Sequence, residues 1–152
     1  MVDAQWVRTL LIALLMSWVL AEAQEPVEVV YFQGRIKGIP ERKSGKLDAS
    51  DPENLRFTWD KGSWKVPYTQ IKTIYLSLTR QSVMVEVFGV PGAKRKLLMS
   101  LVYTDEQGNN RNGVFILSGT SSSELVRTLE NKSQRHAVYE SVEARRAAGA
   151  SP

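Results

Sequence analysis

The side chains most able to do chemistry are two groups of basic residues. One lies in the polar segment 35–46, where Gly38, Pro40 and Gly45 are typical of a loop, and the other follows a Pro-Gly turn. Clustered lysine and arginine side chains neutralise phosphate charge, so both groups are candidate ligand-binding positions. The alternative is a solvated loop that keeps the chain soluble, since Glu41 interrupts the first group. The candidate residues are Arg35, Lys37, Arg42, Lys43, Lys46, Lys94, Arg95 and Lys96.

The acidic residues lack the spacing of a metal site. A calcium loop needs several oxygen ligands in an EF-hand-like order, and neither acidic cluster has that order. The chain has one histidine, His136, and no cysteine, which excludes disulfides, thiolate metal sites and a cysteine nucleophile. We therefore predict no metal and no cofactor, and interpret the acidic clusters as turns. The clusters are Asp48, Asp51 and Glu53, and Asp105, Glu106, Asn109 and Asn110.

Motifs of covalent catalysis and of nucleotide binding are absent from the sequence. It contains no G-x-S-x-G, no S-x-x-K, no P-loop and no G-x-G-x-x-G. A pair of carboxylates could hydrolyse a glycosidic bond only across a cleft, and a small barrel has little cleft to offer. We predict that the protein is not an enzyme and has no catalytic residue, with a small hydrolase as the weakest alternative.

The basic charge balance raises nucleic acid as a partner. A formal net charge of +4 permits weak attraction to nucleic acid or anionic lipid. Nucleic-acid binding needs exposed aromatic rings among the basic residues, whereas the aromatic residues here alternate along strands as in a core. We predict no nucleic-acid partner. An exposed Trp59 or Trp64, near the hairpin at Lys61-Gly62, could instead anchor a peptide or a lipid surface. The crowded aromatic residues are Phe57, Trp59, Trp64, Tyr68 and Tyr75.

Alternation of apolar and polar residues predicts a mainly β body followed by one helix. The hydrophobic share of 43% and the charged share of 24% are ordinary for a globular protein and exclude wholesale disorder. Seven strands are expected at 27–34, 55–59, 63–68, 71–78, 83–90, 97–104 and 114–117, and 47–50 is a candidate for a further short strand. Ser121 with Glu124 predicts a capping box that opens the helix, and the apolar stripe of Leu125, Val126 and Leu129 predicts its end near 131–134.

The order of these elements predicts the fold class. Without βαβ alternation, the strands are expected to pair antiparallel. About seven antiparallel strands followed by one helix predict a PH-like β-barrel or sandwich with a C-terminal capping helix over one open end. Pro67 cannot donate a ladder hydrogen bond, which predicts an edge or a bulge there. The domain is expected over 24–140, closing with a short edge strand at 135–140, and 141–152 is expected as a polar tail or a frayed helix.

The first residues are typical of a targeting segment. An almost continuously apolar run, Thr9–Ala21, follows Arg8 and ends in a small-x-small pattern at Ala21–Ala23. We predict a signal peptide over 1–23, or an uncleaved N-terminal anchor that holds the body to the inner membrane through residues 6–23. Both interpretations place the body outside the cytoplasm, in the periplasm or the extracellular space, and the remaining alternative is a cytosolic chain with an apolar start.

Several segments carry a resemblance to a known group of proteins. They are GKLDASDPENLRF and WKVPYTQIKTIYL within 45–75, LVYTDEQGNNRNGVFIL at 101–117, the LxxxLExxS run of the helix, and HAVYES at 136–141. Over about residues 28–143 the chain resembles small exported bacterial proteins of unassigned function with a PH-like or GRAM-like body. The resemblance implies a PH-like fold in the cell envelope and supplies no catalytic residue.

These observations favour a non-catalytic binding module of the bacterial envelope. The first hypothesis is a protein or peptide partner, bound by strand addition at an exposed edge or in the groove beside the helix. The second is peripheral binding of anionic phospholipid through the basic loops. The oligomeric state stays open.

Overall fold

A computed structural model describes residues 25–89, 94–118 and 121–151 of the chain. The predicted signal peptide or anchor over 1–23 lies outside the described residues. No helix within the described ranges is both long enough and apolar enough to cross a membrane.

The described residues form eight strands, three α-helices and one 3-10 turn. The strands are β1 Val27–Gly34, β2 Lys43–Asp48, β3 Asn54–Trp59, β4 Gly62–Pro67, β5 Ile71–Leu78, β6 Leu97–Thr104, β7 Asn110–Leu117 and β8 Val138–Tyr139. The helices are α1 Gln81–Phe88, α2 Ser122–Ser133 and α3 Val142–Ala147, and the 3-10 turn is Tyr68–Gln70. The prediction of a mainly β body with a C-terminal helix is confirmed.

All eight strands belong to one sheet in the order β4-β3-β2-β1-β7-β6-β5-β8. Every pair is antiparallel except β5 with β8. The predicted closure into a barrel is wrong, because closure would require β4 to pair with β5. The 3-10 turn Tyr68–Gln70 separates these two strands, Pro67 at the end of β4 has no N–H to donate, and β8 occupies the other side of β5. The edge predicted at Pro67 is confirmed.

The core lies on the inner face of the sheet, where alternate residues of each strand meet. The four odd-numbered residues of β6 from Leu97 to Tyr103 are at most 5% exposed, which confirms the predicted core face of that strand. Tyr31, Phe57 and Phe115 form the centre, with ring centroids 5.4 Å apart for Tyr31–Phe115 and 5.6 Å for Phe57–Phe115. These rings join the two halves of the sheet.

Helix α2 covers this core with the predicted stripe, since Leu125, Val126 and Leu129 are at most 2% exposed. It ends at Ser133, as predicted. The predicted capping box is wrong: the side chain of Ser121 makes no capping hydrogen bond, and its φ of −85° and ψ of 3° are not the extended backbone that aims a hydroxyl at the first turn.

Residues 83–88 of the segment 83–90, expected as a strand, belong to a helix instead. α1 spans Gln81–Phe88 and ends at Gly89, whose φ of 69° and N–H bond to the Val85 carbonyl close the last turn. A short apolar run is ambiguous between strand and helix, and only its surroundings decide. Met84 is 1% exposed although it lies outside the main core cluster, so α1 buries an apolar side chain of its own.

The end of the chain packs onto the body. The predicted short strand at 135–140 is β8, paired with β5 through Tyr75↔Val138 and Leu76↔Tyr139. In the segment expected as a tail or frayed helix, α3 begins where the Ser141 hydroxyl accepts a hydrogen bond from the Ala144 amide at 3.1 Å. Ala144 is fully buried, so the packed part of the chain continues past residue 140.

Candidate ligand-binding groove

A groove of about 770 Å³ runs along the free edge of β4. Its walls are Trp64–Pro67 of β4, residues 103–108 and Arg111 of the β6–β7 hairpin, and Arg35 and Lys37 after β1, with Asn54 and Gln70 at one end. We call it the β4 groove. Its volume is in the range of cavities that take small ligands or a few peptide residues.

Aromatic and aliphatic side chains form the floor of the β4 groove. The rings of Trp64 and Tyr103 lie 5.4 Å apart at their centroids and are tilted by 57°. Val66 is 2% exposed and Tyr103 is 5% exposed, so both close the groove toward the core. Burial raises the pKa of Tyr103, which keeps its hydroxyl neutral at physiological pH.

The edge of β4 presents unpaired backbone groups to the groove. Within the described residues, β4 pairs with β3 alone. The two-residue turn after Trp59 makes Trp59↔Gly62 the closing, hydrogen-bonded pair, and hydrogen-bonded pairs then alternate along the ladder. The backbone N–H and C=O groups of Ser63 and Lys65 therefore point away from β3. This edge can receive another strand.

Positive charge surrounds the groove. Across the described parts of the chain, the side chains of Arg35, Lys37 and Lys65 have neither a hydrogen-bond nor an ion-pair partner. Arg111, in contrast, donates from Nε to Asp105 Oδ2 at 2.8 Å. That hydrogen bond is the main reason that the pKa of Asp105 is lowered. Three cationic side chains are thus left for a ligand.

One polar atom in the groove wall is unsatisfied. The Thr104 hydroxyl oxygen is buried and has no hydrogen-bond partner among the described residues. Thr104 lines the β4 groove. Buried polar atoms in folded proteins nearly always have a partner, so this hydroxyl is an exception among the described residues.

The predicted basic loop does not form one cluster. Arg35 and Lys37 lie in the β4 groove, whereas Arg42 forms an ion pair with Glu86 of α1. Lys43 pairs with Asp60 at 2.7 Å and is part of β2 rather than of the loop. Lys46 is also in β2, exposed between its neighbours in β1 and β3.

The second basic group lies beside α1 and does not line the groove. Arg95 donates to the carbonyls of Thr79 and Leu78, and the Lys96 ammonium lies 3.9 Å from the centroid of the Phe88 ring. These contacts fix the start of β6 against the end of β5. Lys94 is exposed.

Lys65 and Arg111 are groove residues that the sequence did not reveal. Both lie within strands, and a search for basic clusters in loops passes over them. The alternation of Trp64 and Val66 with Lys65 was visible, but it could not show that β4 ends the sheet.

The acidic runs act as turn residues. Asp51 Oδ1 accepts from the backbone amides of Glu53 at 2.8 Å and Asn54 at 2.9 Å, and Asp105 Oδ1 accepts from Gln107 and Asn109 in the same way. In the part of the chain that the structure describes, no group of three or more acidic or histidine side chains could hold a metal ion.

Comparison of the sequence with protein-family models and with curated proteins found no match. The function is therefore inferred from the geometry of the β4 groove.

Proposed function

We propose that the protein is a non-catalytic binding module of the cell envelope, and that it binds an extended peptide segment of a partner protein along β4. The observation that carries the proposal is the free edge of β4 beside a groove floored by Trp64 and Tyr103. Main-chain hydrogen bonds from such an edge supply affinity, and the adjacent groove supplies side-chain selectivity.

The β4 edge is favoured over the groove beside the helix, because the chain itself occupies the latter. β8 pairs with β5, and the Glu140 amide donates to the Leu76 carbonyl at 2.9 Å. A guest strand at β5 would have to displace this pairing. On β4 it would meet no competing strand from the described residues.

A PH-like assignment is part of this proposal. The supporting observation is an antiparallel series of seven strands in which β1 pairs with β7, followed directly by an amphipathic helix on the core. The open seam between β4 and β5 is compatible with the sandwich form of the predicted fold. The envelope location stays a prediction that depends on residues 1–23.

The proposed absence of catalysis has support from Asp105, one of the two acidic residues that line the groove. A general base works best with a pKa near the operating pH. Asp105 instead has a lowered pKa, chiefly because of Arg111, and accepts two backbone amides that hold the hairpin together. It is poorly suited to take a proton.

The test uses a set of acetylated and amidated nine-residue peptides, Thr-Val-Thr-Val-X-Val-Thr-Val-Thr, with X as Gln, Glu or Lys. Binding to the full-length protein is expected to slow amide hydrogen exchange at Ser63 and Lys65, the two outward N–H groups of β4. Ser63→Pro removes one of these donors without touching a bond to β3, and should weaken binding about tenfold, the order expected for loss of one buried hydrogen bond. Ser63→Thr is the matched control and should bind normally.

Two results would overturn the proposal. One is failure of all three peptides to protect Ser63 and Lys65 at millimolar concentration. The other is equal binding by Ser63→Pro and Ser63→Thr, provided that both variants unfold at the same temperature as the wild type.

Anionic phospholipid is a second candidate, with weaker support. Arg42 and Lys43 are already engaged with Glu86 and Asp60, so a bilayer would have to compete with these ion pairs. If the basic loops bind lipid, the protein should co-sediment with vesicles containing phosphatidylserine at low salt, and an Arg42→Glu/Lys43→Glu double variant should not. Absence of sedimentation at low salt would eliminate lipid binding.

A further inference from the structure

We infer that the β4 groove selects an acidic strand, with a glutamate or aspartate opposite Lys65 and apolar residues on either side of it. The inference rests on the proposed function and specifies its partner chemically. It follows from the order of charges across the sheet and from the walls of the groove.

A row of charged residues crosses the outer face of the sheet and stops at β4. Asp48 of β2 is opposite Arg56 of β3, and Arg56 is opposite Lys65 of β4. Directly opposed side chains in an antiparallel sheet have Cβ atoms about 4.5–5.5 Å apart, so opposite charges stabilise the pair and like charges destabilise it. The row is acidic, basic, basic, and no other strand among the described residues pairs with its last member, Lys65. An acidic residue opposite Lys65 on an added strand would give that lysine a neighbour of opposite charge.

In the next row, a lysine already has an acidic residue opposite it within the chain. Glu28 of β1 is opposite Lys46 of β2, and the row continues through Thr58 to Ser63. Its lysine has an acidic neighbour, and its edge residue is a small polar one. An added strand that reaches both rows would need an acidic residue opposite Lys65 and, two positions along, a polar residue opposite Ser63.

The charges on the far walls of the groove also favour an acidic strand. Four cationic side chains line it against two acidic ones, and the acidic Asp105 is already paired with Arg111. Arg35 and Lys37 face the groove from the loop after β1 without partners in the described chain. The residue opposite Lys65 lies on the outer face, so these cations act on it at longer range: the excess positive charge of the groove attracts an acidic strand and repels a basic one.

The residues that flank the acidic one are expected to be apolar. In a strand, neighbouring side chains point to opposite faces, so the residues before and after the one opposite Lys65 lie on the side of Trp64 and Val66. That side is the floor that Tyr103 completes.

The test ranks the three peptides by dissociation constant, measured from the amide shifts of Ser63 and Lys65 in the full-length protein. The Glu peptide should bind about threefold more tightly than the Gln peptide and about tenfold more tightly than the Lys peptide, from the usual value of cross-strand charge pairs. In Lys65→Glu the order should reverse. Lys72→Glu makes the same change of charge at an exposed residue of β5 and should keep the wild-type order.

Each other outcome has one meaning. Equal binding of the three peptides would overturn the acidic preference and leave peptide binding at β4 standing. An unchanged order in Lys65→Glu would also overturn it, because the charge row would then be irrelevant. If none of the peptides moved the two amides, both this inference and the proposed function would fall.

Discussion

Gly45→Ala tests the packing of β2 between β1 and β3. A Cβ at Gly45 would contact the backbone carbonyl oxygen of Thr58 and lie 2.7 Å from two carbons of the Phe57 ring. The oxygen belongs to the neighbouring strand and the ring is fully buried, so neither can move aside cheaply. Any side chain at this position therefore forces β2 and β3 apart.

Two effects of opposite sign set the size of the change. Replacing glycine with alanine stabilises a protein by about 0.4–1 kcal/mol through the unfolded chain, where the backbone is compatible. Overpacking of a rigid site costs about 1–3 kcal/mol. Because the obstacle at Gly45 includes backbone, we take the upper value and expect a net loss of about 2 kcal/mol in the free energy of unfolding.

Urea unfolding followed by tryptophan fluorescence measures this loss. With an m-value of about 2 kcal/mol/M, the midpoint should fall by about 1 M. Gly62→Ala is the matched control: its Cβ would meet only the Trp59 side chain, at 3.0 Å, and Trp59 is partly exposed and able to shift. We expect the control to change stability by less than about 1 kcal/mol. Equal midpoints for Gly45→Ala and Gly62→Ala would refute the strand spacing described here.

Two further predictions concern the contacts that hold the loops. Lys132 donates from Nζ to the carbonyls of Ala49 and Asp51. Lys132→Met should therefore lower the free energy of unfolding by about 1–3 kcal/mol, measured as a lower urea midpoint. An unchanged midpoint would show that these two hydrogen bonds do not stabilise the fold. The pKa of Asp105 is lowered in the folded protein, chiefly by Arg111, so its carboxylate contributes stability above the unfolded pKa that is lost as the pH falls through the folded value. Asp105→Asn should therefore have a lower melting temperature than the wild type at pH 7. The difference between the two melting temperatures should become smaller as the pH falls toward 2. A constant difference across that range would contradict the linkage.

Elements with a strong local pattern could be predicted well. The period-two alternation of β6 and the apolar stripe of α2 each identify the side that is buried, and Leu101 and Leu129 are both fully buried. Such patterns arise because a side chain's face is set by the geometry of its own strand or helix.

Elements that depend on surroundings were predicted less well. Segment 83–90 has β-branched residues that favour a strand, yet its residues 83–88 belong to α1, where Met84 is buried and Glu86 forms an ion pair with Arg42. The loop assigned to 35–46 was too long, because Lys43–Lys46 pair with Tyr31, Val30, Val29 and Glu28 of β1. In both places partners distant in sequence decide the conformation.

The candidate site also has features that the local sequence predicts and features that depend on distant partners. Its side-chain chemistry was partly visible in the sequence, where Arg35 and Lys37 were among the eight basic residues named as candidate ligand-binding positions. The role proposed for Lys65 depends on its tertiary position. Lys65 is opposite Arg56 on an edge strand of the sheet, and it lies near the β6–β7 hairpin, which is distant in sequence. Residue order determines which face of a strand is apolar, since that depends on backbone geometry within a few residues. Which strand lies at the edge depends on how distant strands pair, and the groove lies beside β4 because, among the described strands, β4 pairs with β3 alone.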